Sequence, residues 1–428
     1  RGFSNGEILD DMTELINLYE ADEEALKARE DQFFKSVNGL VELAGMYGFS
    51  GNIWHTYLTF LLVNHENAFS MASEIRGAIK GSINDLAKND FQIFKELYDF
   101  DITVFDKVFG TVCCRVICDY QTPDENSKLF NTRIRDRICQ MSKTLAAATT
   151  TEEFMDDMVS FYKDFGVGKL GLHKAFRIGH DEEGKVEIQP ITRIAHVKID
   201  DLVGYEIAKK KLIDNTEAFV QGRKANNCLL FGDAGTGKSS SIKGILNKYY
   251  DEGLRIIEVY KHQFVDLNQI IAQIKDRNYK FIIYMDDLSF EEFEIEYKYL
   301  KAVIEGGLER KPENILIYAT SNRRHLVRER AGDKLEVGAD DDIHSSDTVQ
   351  EKLSLVYRFG VRIYFGAPDR KEFHTIVKTL AQRNGIIMPE DELLLEAGKW
   401  EISHGGLTGR TAQQFIDHLL GKEETQEA

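Results

Sequence analysis

The amino-acid sequence predicts an α/β fold with a parallel five-stranded sheet flanked by helices, next to a separate, mainly helical N-terminal domain. Two patterns predict this fold. Apolar residues recur at helical spacing up to about residue 165, whereas from Ile199 onward short apolar runs alternate with helical segments. Such alternation is typical of a parallel sheet covered by helices on both faces. The predicted strands are Asn227–Phe231, Arg255–Val259, Phe281–Asp286, Ile315–Thr320 and Val361–Phe365.

Changes of periodicity divide the chain into four segments. In the helical domain, Ile53 to Val63 is predicted as a buried helix because it is too short to span a membrane. Alternating residues on both sides of Asp181-Glu182-Glu183-Gly184 predict a β-hairpin. Asp369 and Glu372 form a capping pair for the first helix after the sheet. The segments are the helical domain 1–170, the hairpin linker 171–198, the α/β domain 199–368 and the helical lid 369–428.

Composition limits the class of protein. The chain has 428 residues, too many for one ordinary core, with 43% hydrophobic and 29% charged residues. The net charge of −17 argues against a protein that coats nucleic acid, because such binding needs clustered Lys and Arg. No apolar run reaches the ~18–20 residues of a membrane span, and the N-terminus has no signal-sequence pattern. We therefore expect a cytoplasmic protein without a membrane span.

The cysteines favour buried thiols over a metal site. Cys113, Cys114, Cys118 and Cys139 contain no Cys-x-x-Cys pair and lie in apolar surroundings, unlike typical zinc ligands. Cys228 lies in a predicted strand and has the same interpretation. The number of cysteines, five, agrees with a reducing compartment.

One tract, Gly232-Asp233-Ala234-Gly235-Thr236-Gly237-Lys238-Ser239, matches the phosphate-binding pattern Gly-x-x-x-x-Gly-Lys-Ser/Thr at every position. A predicted strand precedes it and a predicted helix, beginning with Ser240, follows it, which is the structural setting that the pattern requires. This context favours a phosphate-binding loop over a glycine-rich turn without a ligand. Lys238 is predicted to reach the β and γ phosphates and Ser239 to bind Mg²⁺, and the other residues of the tract, with Ser240, to contact the nucleotide.

Two carboxylates end the buried strand that contains Phe281. Asp286 is predicted to bind the metal opposite Ser239, and Asp287 to orient or deprotonate the attacking water. Its distance from the phosphate loop allows this strand to be the loop strand's neighbour in the sheet, which is the position we expect. The alternative is a strand that merely ends in a solvated acidic turn.

Three further polar residues are candidates for the same site. Asn322 follows the buried strand that begins at Ile315, so it is predicted to hold the water near the γ-phosphate; the alternative is a simple turn residue. Arg410, with Thr408 as a helix cap, is predicted to close the helical lid onto the phosphates. Arg358 is predicted to reach a neighbouring subunit's site as an arginine finger. For both arginines the alternative is a surface side chain paired with an acid.

The basic run after Asn322 has two interpretations. It either contacts phosphates, of nucleic acid or at a subunit boundary, or forms a solvated helical face that nearby acidic residues partly neutralise. A polar loop is predicted from Ala331 to Gln350. The residues of the run are Arg323, Arg324, His325, Arg328 and Arg330.

The order of these motifs resembles the AAA+ ATPases, with the phosphate loop as Walker A, Asp286-Asp287 as Walker B, Asn322 as sensor 1, Arg358 as arginine finger and Arg410 as sensor 2. More closely, over roughly residues 171–420 the chain resembles the bacterial AAA+ family known as domain of unknown function 815. The tracts that carry this resemblance are Asp200-Asp201-Leu202-Val203-Gly204-Tyr205-Glu206, Asp286-Asp287-Leu288-Ser289-Phe290-Glu291-Glu292, Thr320-Ser321-Asn322-Arg323-Arg324-His325-Leu326 and Gly409-Arg410-Thr411.

The resemblance implies an AAA+ sheet with a helical lid, ATP and Mg²⁺ as ligands, and an adenine pocket near Val203 and Gly204. It implies no substrate. Most AAA+ proteins carry Asp-Glu where this chain has Asp286-Asp287, so the second carboxylate is one methylene shorter. Either the backbone lies closer to the substrate, or Glu291 or Glu292 assists, or hydrolysis is slow.

The leading hypothesis is an ATP hydrolase whose cycle drives a conformational change in a homo-oligomer, such as a ring, and acts on a protein partner held by the helical domain. Nucleic acid is a less favoured partner. The alternative is a nucleotide-dependent binding module, a loader or scaffold with negligible turnover. A small-molecule kinase is a third class, disfavoured because Asn322 and Arg410 are not needed to bind a second small substrate.

Overall fold

The computed structural model describes residues 3, 6–78, 80–122, 132–192, 194–289, 296–305, 311–322 and 355–423. The predicted basic run Arg323–Arg330, the predicted polar loop Ala331–Gln350 and the two candidate acids Glu291 and Glu292 lie outside these residues. The chain divides into two compact units, Arg1–His173 and Lys174–Ala428. The division follows His173, close to the predicted end of the helical domain at residue 170.

In its described residues, the first unit consists of helices joined by loops, with an isolated β-bridge between Gly51 and Tyr120. The central helix is mostly apolar and buried, as predicted for Ile53 to Val63, and it packs against at least five others. Trp54 on this helix donates a hydrogen bond from its indole nitrogen to the Leu97 carbonyl (3.2 Å). The helices are Glu7–Ala21 (α1), Glu23–Lys27 (α2), Glu30–Tyr47 (α3), Ile53–Asn64 (α4), Ala68–Arg76 (α5), Ser82–Asp99 (α6), Val104–Val108 (α7), Cys113–Cys118 (α8), Thr132–Ala147 (α9), Thr151–Phe165 (α10) and Gly168–Leu172 (α11).

All five cysteines are free thiols. Cys114 and Cys228 are buried, and the other three are half-buried. Burial raises the pKa of Cys118 to about 11 and also raises the pKa of Cys114. Thiols of this kind carry little thiolate at neutral pH, so they behave as small apolar side chains.

The second unit contains one sheet and the helices that cover it. The strands are Ala175–His180 (β1), Val186–Pro190 (β2), Cys228–Gly232 (β3), Leu254–Glu258 (β4), Lys280–Met285 (β5), Ile315–Ser321 (β6) and Val361–Phe365 (β7). The helices are Glu206–Val220 (α12), Lys238–Tyr249 (α13), Leu267–Ile274 (α14), Glu296–Glu305 (α15), Arg370–Arg383 (α16), Glu390–Ser403 (α17) and Gly409–Glu423 (α18). Single 3₁₀ segments occupy Ile199–Asp201, Tyr250–Glu252 and Lys261–Asp266.

The prediction of a five-stranded parallel sheet is wrong in strand number. The sheet has seven strands in the order β2-β1-β4-β5-β6-β3-β7. The predicted hairpin 171–198 is therefore part of the sheet and not a linker. Strand β1 pairs in parallel with β4, where Ala175 lies opposite Ile256, and β2 adds an antiparallel edge strand. The pairing of strands that lie far apart in the chain cannot be seen in the local alternation of apolar and polar residues.

The predicted position of the Asp286 strand is also wrong. Strand β5 is not the neighbour of the loop strand β3, because β6 lies between them and pairs with both. Every residue of β6 is buried, which agrees with a central strand covered on both faces. Because β6 lies between β3 and β5, its end, with Asn322, lies between the phosphate loop and Asp286.

Three helices follow the sheet and pack on one another around Phe373, Ile376 and Phe415. We call this segment, Arg370–Glu423, the lid. Its first helix begins with the predicted capping pair: the Glu372 N–H donates to the Asp369 carboxylate (2.8 Å), and the Asp369 N–H donates to the Glu372 carboxylate (2.9 Å). Among the described residues, no helix is long and apolar enough to cross a membrane.

Candidate nucleotide-binding site

The candidate residues that follow three parallel strands lie together at one edge of the sheet. The phosphate loop follows β3, the two aspartates follow β5, and Asn322 follows β6, so all of them lie at the carboxyl ends where parallel sheets bind ligands. The edge opens into a pocket of about 600 Å³ that the lid covers in part. The predicted residues that line the pocket are Val203, Gly235, Thr236, Gly237, Lys238, Ser239, Ser240, Asp286, Asp287, Asn322 and Arg410.

The glycines of the phosphate loop have positive φ where the chain turns. Gly235 has φ +74° and Gly237 has φ +90°, a region that strongly favours glycine. Gly237 is also the N-cap of α13, so the N-terminus of that helix points into the pocket, where its free N–H groups attract anions. The loop therefore has the backbone geometry of a phosphate cradle.

Lys238 lies at the first position of α13 and is buried. Its ammonium donates to the carbonyls of Gly232 (3.2 Å) and Asp233 (2.6 Å). Burial lowers its pKa, and the positive charge of Arg410 acts in the same direction; nearby carboxylates, first Asp233 and then Asp287, oppose the shift. Lys238 is therefore a buried cation, and the negative charge of a triphosphate would attract it strongly.

Asp286 accepts three hydroxyl hydrogen bonds at one oxygen. Its Oδ1 receives bonds from Ser239 (2.9 Å), Tyr284 (2.7 Å) and Thr320 (2.5 Å). Partial burial opposes ionisation, but these hydrogen bonds outweigh it and hold the pKa of Asp286 below its ordinary value. The group is thus a carboxylate at neutral pH, next to the Ser239 hydroxyl.

Asp287 has an unusual backbone conformation that its neighbours stabilise. Its φ of +50° lies in the left-handed region, which Asp tolerates better than most residues. Its N–H donates to the Thr320 hydroxyl (3.0 Å), and its Oδ1 accepts from the Asn322 amide (2.8 Å). The structure thus brings Asn322 to Asp287, and Thr320 connects both aspartates.

The lid touches the phosphate loop at the start of α18. The Arg410 N–H donates to the Gly235 carbonyl (3.2 Å), and Thr408 caps the helix by accepting from the Thr411 N–H (3.0 Å), as predicted. A Cβ at Gly235 would lie 3.1 Å from the Thr408 hydroxyl and 3.2 Å from the Arg410 Cβ. This close approach adds a second reason for glycine at position 235.

The opposite wall of the pocket is apolar. Val203 packs with the lid core, and Tyr205 packs on Phe365 with ring centroids 5.3 Å apart. Ile376 and Leu380 of the lid complete this wall. The segment Asp201–Val203 is fixed because Lys209 donates to the Leu202 carbonyl (2.6 Å). An apolar wall of this kind suits a flat aromatic base.

Five predicted residues are not among the described residues that line this pocket: Gly204, Gly232, Asp233, Ala234 and Arg358. Gly232 lies against β7, where a Cβ would come 2.1 Å from the Phe365 carbonyl oxygen. Asp233 holds the chain leaving β7, because its carboxylate accepts from the Ala367 N–H (2.8 Å). Arg358 forms an ion pair with Glu305 (2.8 Å) and is 43% exposed at its side chain.

A family model described as "Protein of unknown function (DUF815)" matches residues 171–423, more than half of the chain. The chain belongs to this family. No curated protein matches it. The expected resemblance over residues 171–420 is therefore confirmed, and the family description assigns no activity.

Solved structures similar to this DUF815 chain include RuvB from Thermotoga maritima. One single-residue variant of that protein has 17% identity and a TM-score of 0.39, and the alignment covers 54% of this chain and 66% of that one. A second variant has 16% identity and a TM-score of 0.38, with 54% and 67% covered. A third structure, titled RuvB Holliday junction branch migration motor, has 16% identity and a TM-score of 0.38, with 54% and 66% covered. The match thus spans about two thirds of those chains.

The pocket residues that sequence reasoning missed include Tyr205, Lys209 and Thr320. It also missed Tyr284, whose hydroxyl donates to Asp286. Tyr284 and Thr320 lie in strands whose residues are nearly all apolar, so a hydroxyl at these positions was itself a signal, since buried hydroxyls need partners. Tyr205 is the second non-glycine residue with positive φ, at +59°, and its buried hydroxyl has no hydrogen-bond partner among the described residues.

The donor set of the pocket fits Mg²⁺. Mg²⁺ prefers hard oxygen ligands and is usually held by one or two carboxylates or hydroxyls together with phosphates and water. Asp286 and Ser239 provide such a pair, with their oxygens 2.9 Å apart. Among the described residues, no cluster of three or more His, Cys, Asp or Glu side chains could hold a metal alone. Such a site therefore needs phosphate oxygens to complete it.

Proposed function

We propose that this chain is an AAA+ protein that binds ATP and hydrolyses it to ADP and phosphate, and that the cycle remodels or repositions a macromolecular partner. The observation that carries the proposal is the convergence of Lys238, Ser239, Asp286, Asp287 and Arg410 on one pocket of about 600 Å³. The volume suits a nucleotide, since ligand pockets of small molecules measure about 300–1,000 Å³. The apolar wall at Val203 and Tyr205 is where we place the adenine.

In the proposed hydrolysis of ATP, each residue of the pocket has its own role. The loop N–H groups and Lys238 hold the β and γ phosphates, and Ser239 and Asp286 hold the Mg²⁺, which when bound neutralises charge on the phosphate oxygens. Asn322 occupies Oδ1 of Asp287, so Oδ2 accepts the proton of the water that attacks the γ-phosphorus. The bond from that phosphorus to the β–γ bridging oxygen breaks, and ADP leaves. Arg410 stabilises the charge that develops on the phosphate.

Steady-state phosphate release tests the hydrolysis. Asp287→Asn keeps the shape of the side chain and its amide contact but cannot accept the proton, so we expect turnover to be abolished while ATP still binds. Lys238→Ala is the control that removes both binding and turnover. Only ADP and phosphate should appear as products; transfer of phosphate to a small acceptor would indicate a kinase. Turnover at the native rate in Asp287→Asn would contradict the role of this carboxylate.

A second candidate function is a nucleotide-dependent loader or scaffold with negligible turnover. It is favoured by Asp287 itself, whose side chain is one methylene shorter than Glu and is already engaged by Asn322 at 2.8 Å. In this case ATP sets a conformation that persists. The same assay separates the two functions, because a scaffold binds ATP and Mg²⁺ but releases phosphate at a rate near zero.

We further propose that the active form is a homo-oligomer, such as a ring, in which Arg358 reaches the neighbouring subunit's pocket. Its ion pair with Glu305 lies at the surface and is weak enough to exchange for a phosphate. Arginine fingers contribute about 10³–10⁵ in rate where they are known. We expect Arg358→Ala to lose hydrolysis in the assembled state, whereas Arg362→Ala, a nearby exposed arginine, should not. Equal rates for Arg358→Ala and the native chain would remove the oligomeric part of the proposal.

A further inference from the structure

The helical unit contains a groove of about 1890 Å³, formed mainly by α1, α3 and α6 and separate from the nucleotide pocket. We call it the acidic groove. Its lining extends along α1 from Glu7 to Ala21 and along α6 from Ile83 to Leu97. Each of these stretches has 15 residues, or about 22 Å of helix. The groove is therefore as long as a helix of about four turns.

One side of the groove carries large apolar side chains that are exposed. Leu86 and Ile93 of α6 are 71% and 49% exposed, and they lie on one helix face with Leu97, which is buried. Met46 at the end of α3 is 70% exposed. Large apolar side chains that face one concave surface are typical of binding sites.

The charged side chains of the groove are nearly all acidic. They are Glu7, Asp10, Asp11, Glu14, Glu42 and Asp90, against a single lysine, Lys35. Two of the acids have basic partners: Asp11 pairs with Lys35 (3.5 Å) and Glu14 with Arg29 (3.1 Å). Across the ranges that the structure describes, no basic side chain pairs with the other four.

The negative potential reaches the interior beneath α1. Burial raises the pKa of Tyr57, and the carboxylates of Asp10, Asp11 and Glu7 raise it further. The Tyr57 hydroxyl accepts from the Leu9 N–H (3.0 Å), so it lies directly under the first turns of α1. Several acids therefore act together on one side of the groove.

We propose that the acidic groove binds a cationic amphipathic helix of a partner protein, with leucine-like side chains on Leu86 and Ile93 and Lys or Arg beside Asp10 and Asp90. This inference rests on the proposed function, because it names the class of partner on which the ATP cycle acts. The occupant is argued from charge complementarity: unpaired acids attract cations, and exposed apolar residues select an apolar helix face. Nucleic acid would be repelled by these acids, and a second copy that paired groove to groove would place like charges opposite each other.

Three labelled 18-residue peptides provide the test on the full chain. The first contains only Leu and Lys with all leucines on one helix face, the second has the same composition in an order without an apolar face, and the third has Glu in place of Lys. Fluorescence anisotropy without nucleotide should show binding of the first peptide, at least tenfold weaker binding of the second and none of the third. Raising the salt from 50 to 300 mM should weaken the first.

Groove variants identify the site. We expect the double variants Leu86→Asp/Ile93→Asp and Asp10→Asn/Asp90→Asn to raise the Kd of the first peptide at least fivefold. Val116→Asp, which places an acid at an exposed apolar position of α8, and Glu20→Gln, which neutralises an exposed acid of α1, lie outside the groove and should leave the Kd unchanged. Circular dichroism and ATP binding confirm that each variant is folded.

The outcomes separate this inference from the ATPase proposal. Native affinity in the groove variants, or equal binding of the first two peptides, overturns the inference. A change of oligomeric state in Leu86→Asp/Ile93→Asp also overturns it, because a second copy would then be the occupant. Phosphate release measured without peptide tests hydrolysis independently: groove-dependent binding with no turnover refutes only the hydrolysis, and turnover without groove-dependent binding refutes only the groove.

Discussion

Thr320 connects the carboxylate of Asp286 to the backbone of Asp287, and Thr320→Val removes the connection with almost no change of shape. The hydroxyl donates to Asp286 Oδ1 (2.5 Å) and accepts from the Asp287 N–H (3.0 Å), while the side chain is buried at the end of β6. Valine keeps the branched side chain that the strand packs. The variant therefore tests the hydrogen bonds and not the packing.

The magnitude follows from what each carboxylate retains. A hydrogen bond to a charged acceptor contributes about 1.5–3 kcal/mol, but Asp286 keeps its bonds from Ser239 and Tyr284, so we expect the lower end. In addition, Asp287 loses the partner of its N–H while its φ of +50° remains strained, a conformation that costs about 1–2 kcal/mol. A loss of about 1.5–3.5 kcal/mol corresponds to a roughly 10- to 400-fold fall in Mg²⁺-dependent turnover.

The assay is phosphate release at saturating ATP and Mg²⁺, with ATP affinity measured separately in the absence of Mg²⁺. Thr216→Val is the matched control, because Thr216 is also buried and its hydroxyl bonds only neutral groups, the Leu212 carbonyl (2.8 Å) and the Tyr318 hydroxyl (3.0 Å). We expect the control to lose some stability and keep its turnover. Native turnover in Thr320→Val, or an equal loss in both variants, would refute this account of the site.

Three further predictions concern the phosphate loop and Asp286. Gly235→Ala should weaken ATP binding by at least tenfold in isothermal titration, because φ +74° strains alanine and the new Cβ would press on Thr408 and Arg410 at 3.1–3.2 Å; native affinity would contradict the close contact with the lid. Saturating ATP should raise the Tm of the native chain by about 3–5 °C at a hundredfold excess over Kd, and Lys238→Ala should lose this shift in thermal denaturation. The depressed pKa of Asp286 contributes stability that is present above the ordinary value of 3.8 and is lost as pH falls through the folded value, so in urea unfolding Asp286→Asn should depend less on pH between about 5 and 3.

Local features of the sequence predicted the local parts of the fold. The phosphate loop depends on spacing within eight residues, and the capping pair Asp369 and Glu372 on a separation of three. Strand Ile315–Ser321 was predictable to within one residue because apolar residues fill it. In each case the physical cause, burial or a nearby hydrogen bond, acts between residues that are close in the chain.

The order of the strands was not predictable in this way. Placing β5 beside β3 assumed that successive motifs occupy adjacent strands, whereas β6 lies between them and β1 joins the far side of β4. Thr320 was missed for a related reason, since its partners Asp286 and Asp287 belong to another strand. Arg358 remains a prediction for an assembly, because within this chain it contacts Glu305 and not the pocket.

The way the phosphate loop is held has a consequence for how ATP enters and leaves. Gly232 and Asp233 are fastened to the end of β7, through the Asp233 N–H to the Phe365 carbonyl (3.0 Å) and the Asp233 carboxylate to the Ala367 N–H (2.8 Å). The lid therefore begins close to a point where the chain is fixed to the phosphate loop, and its last helix contacts the loop again through the bond from the Arg410 N–H to the Gly235 carbonyl (3.2 Å). Under the proposed function, a lid movement that admits nucleotide breaks the second contact and keeps the first. We then expect nucleotide exchange and lid movement to be coupled.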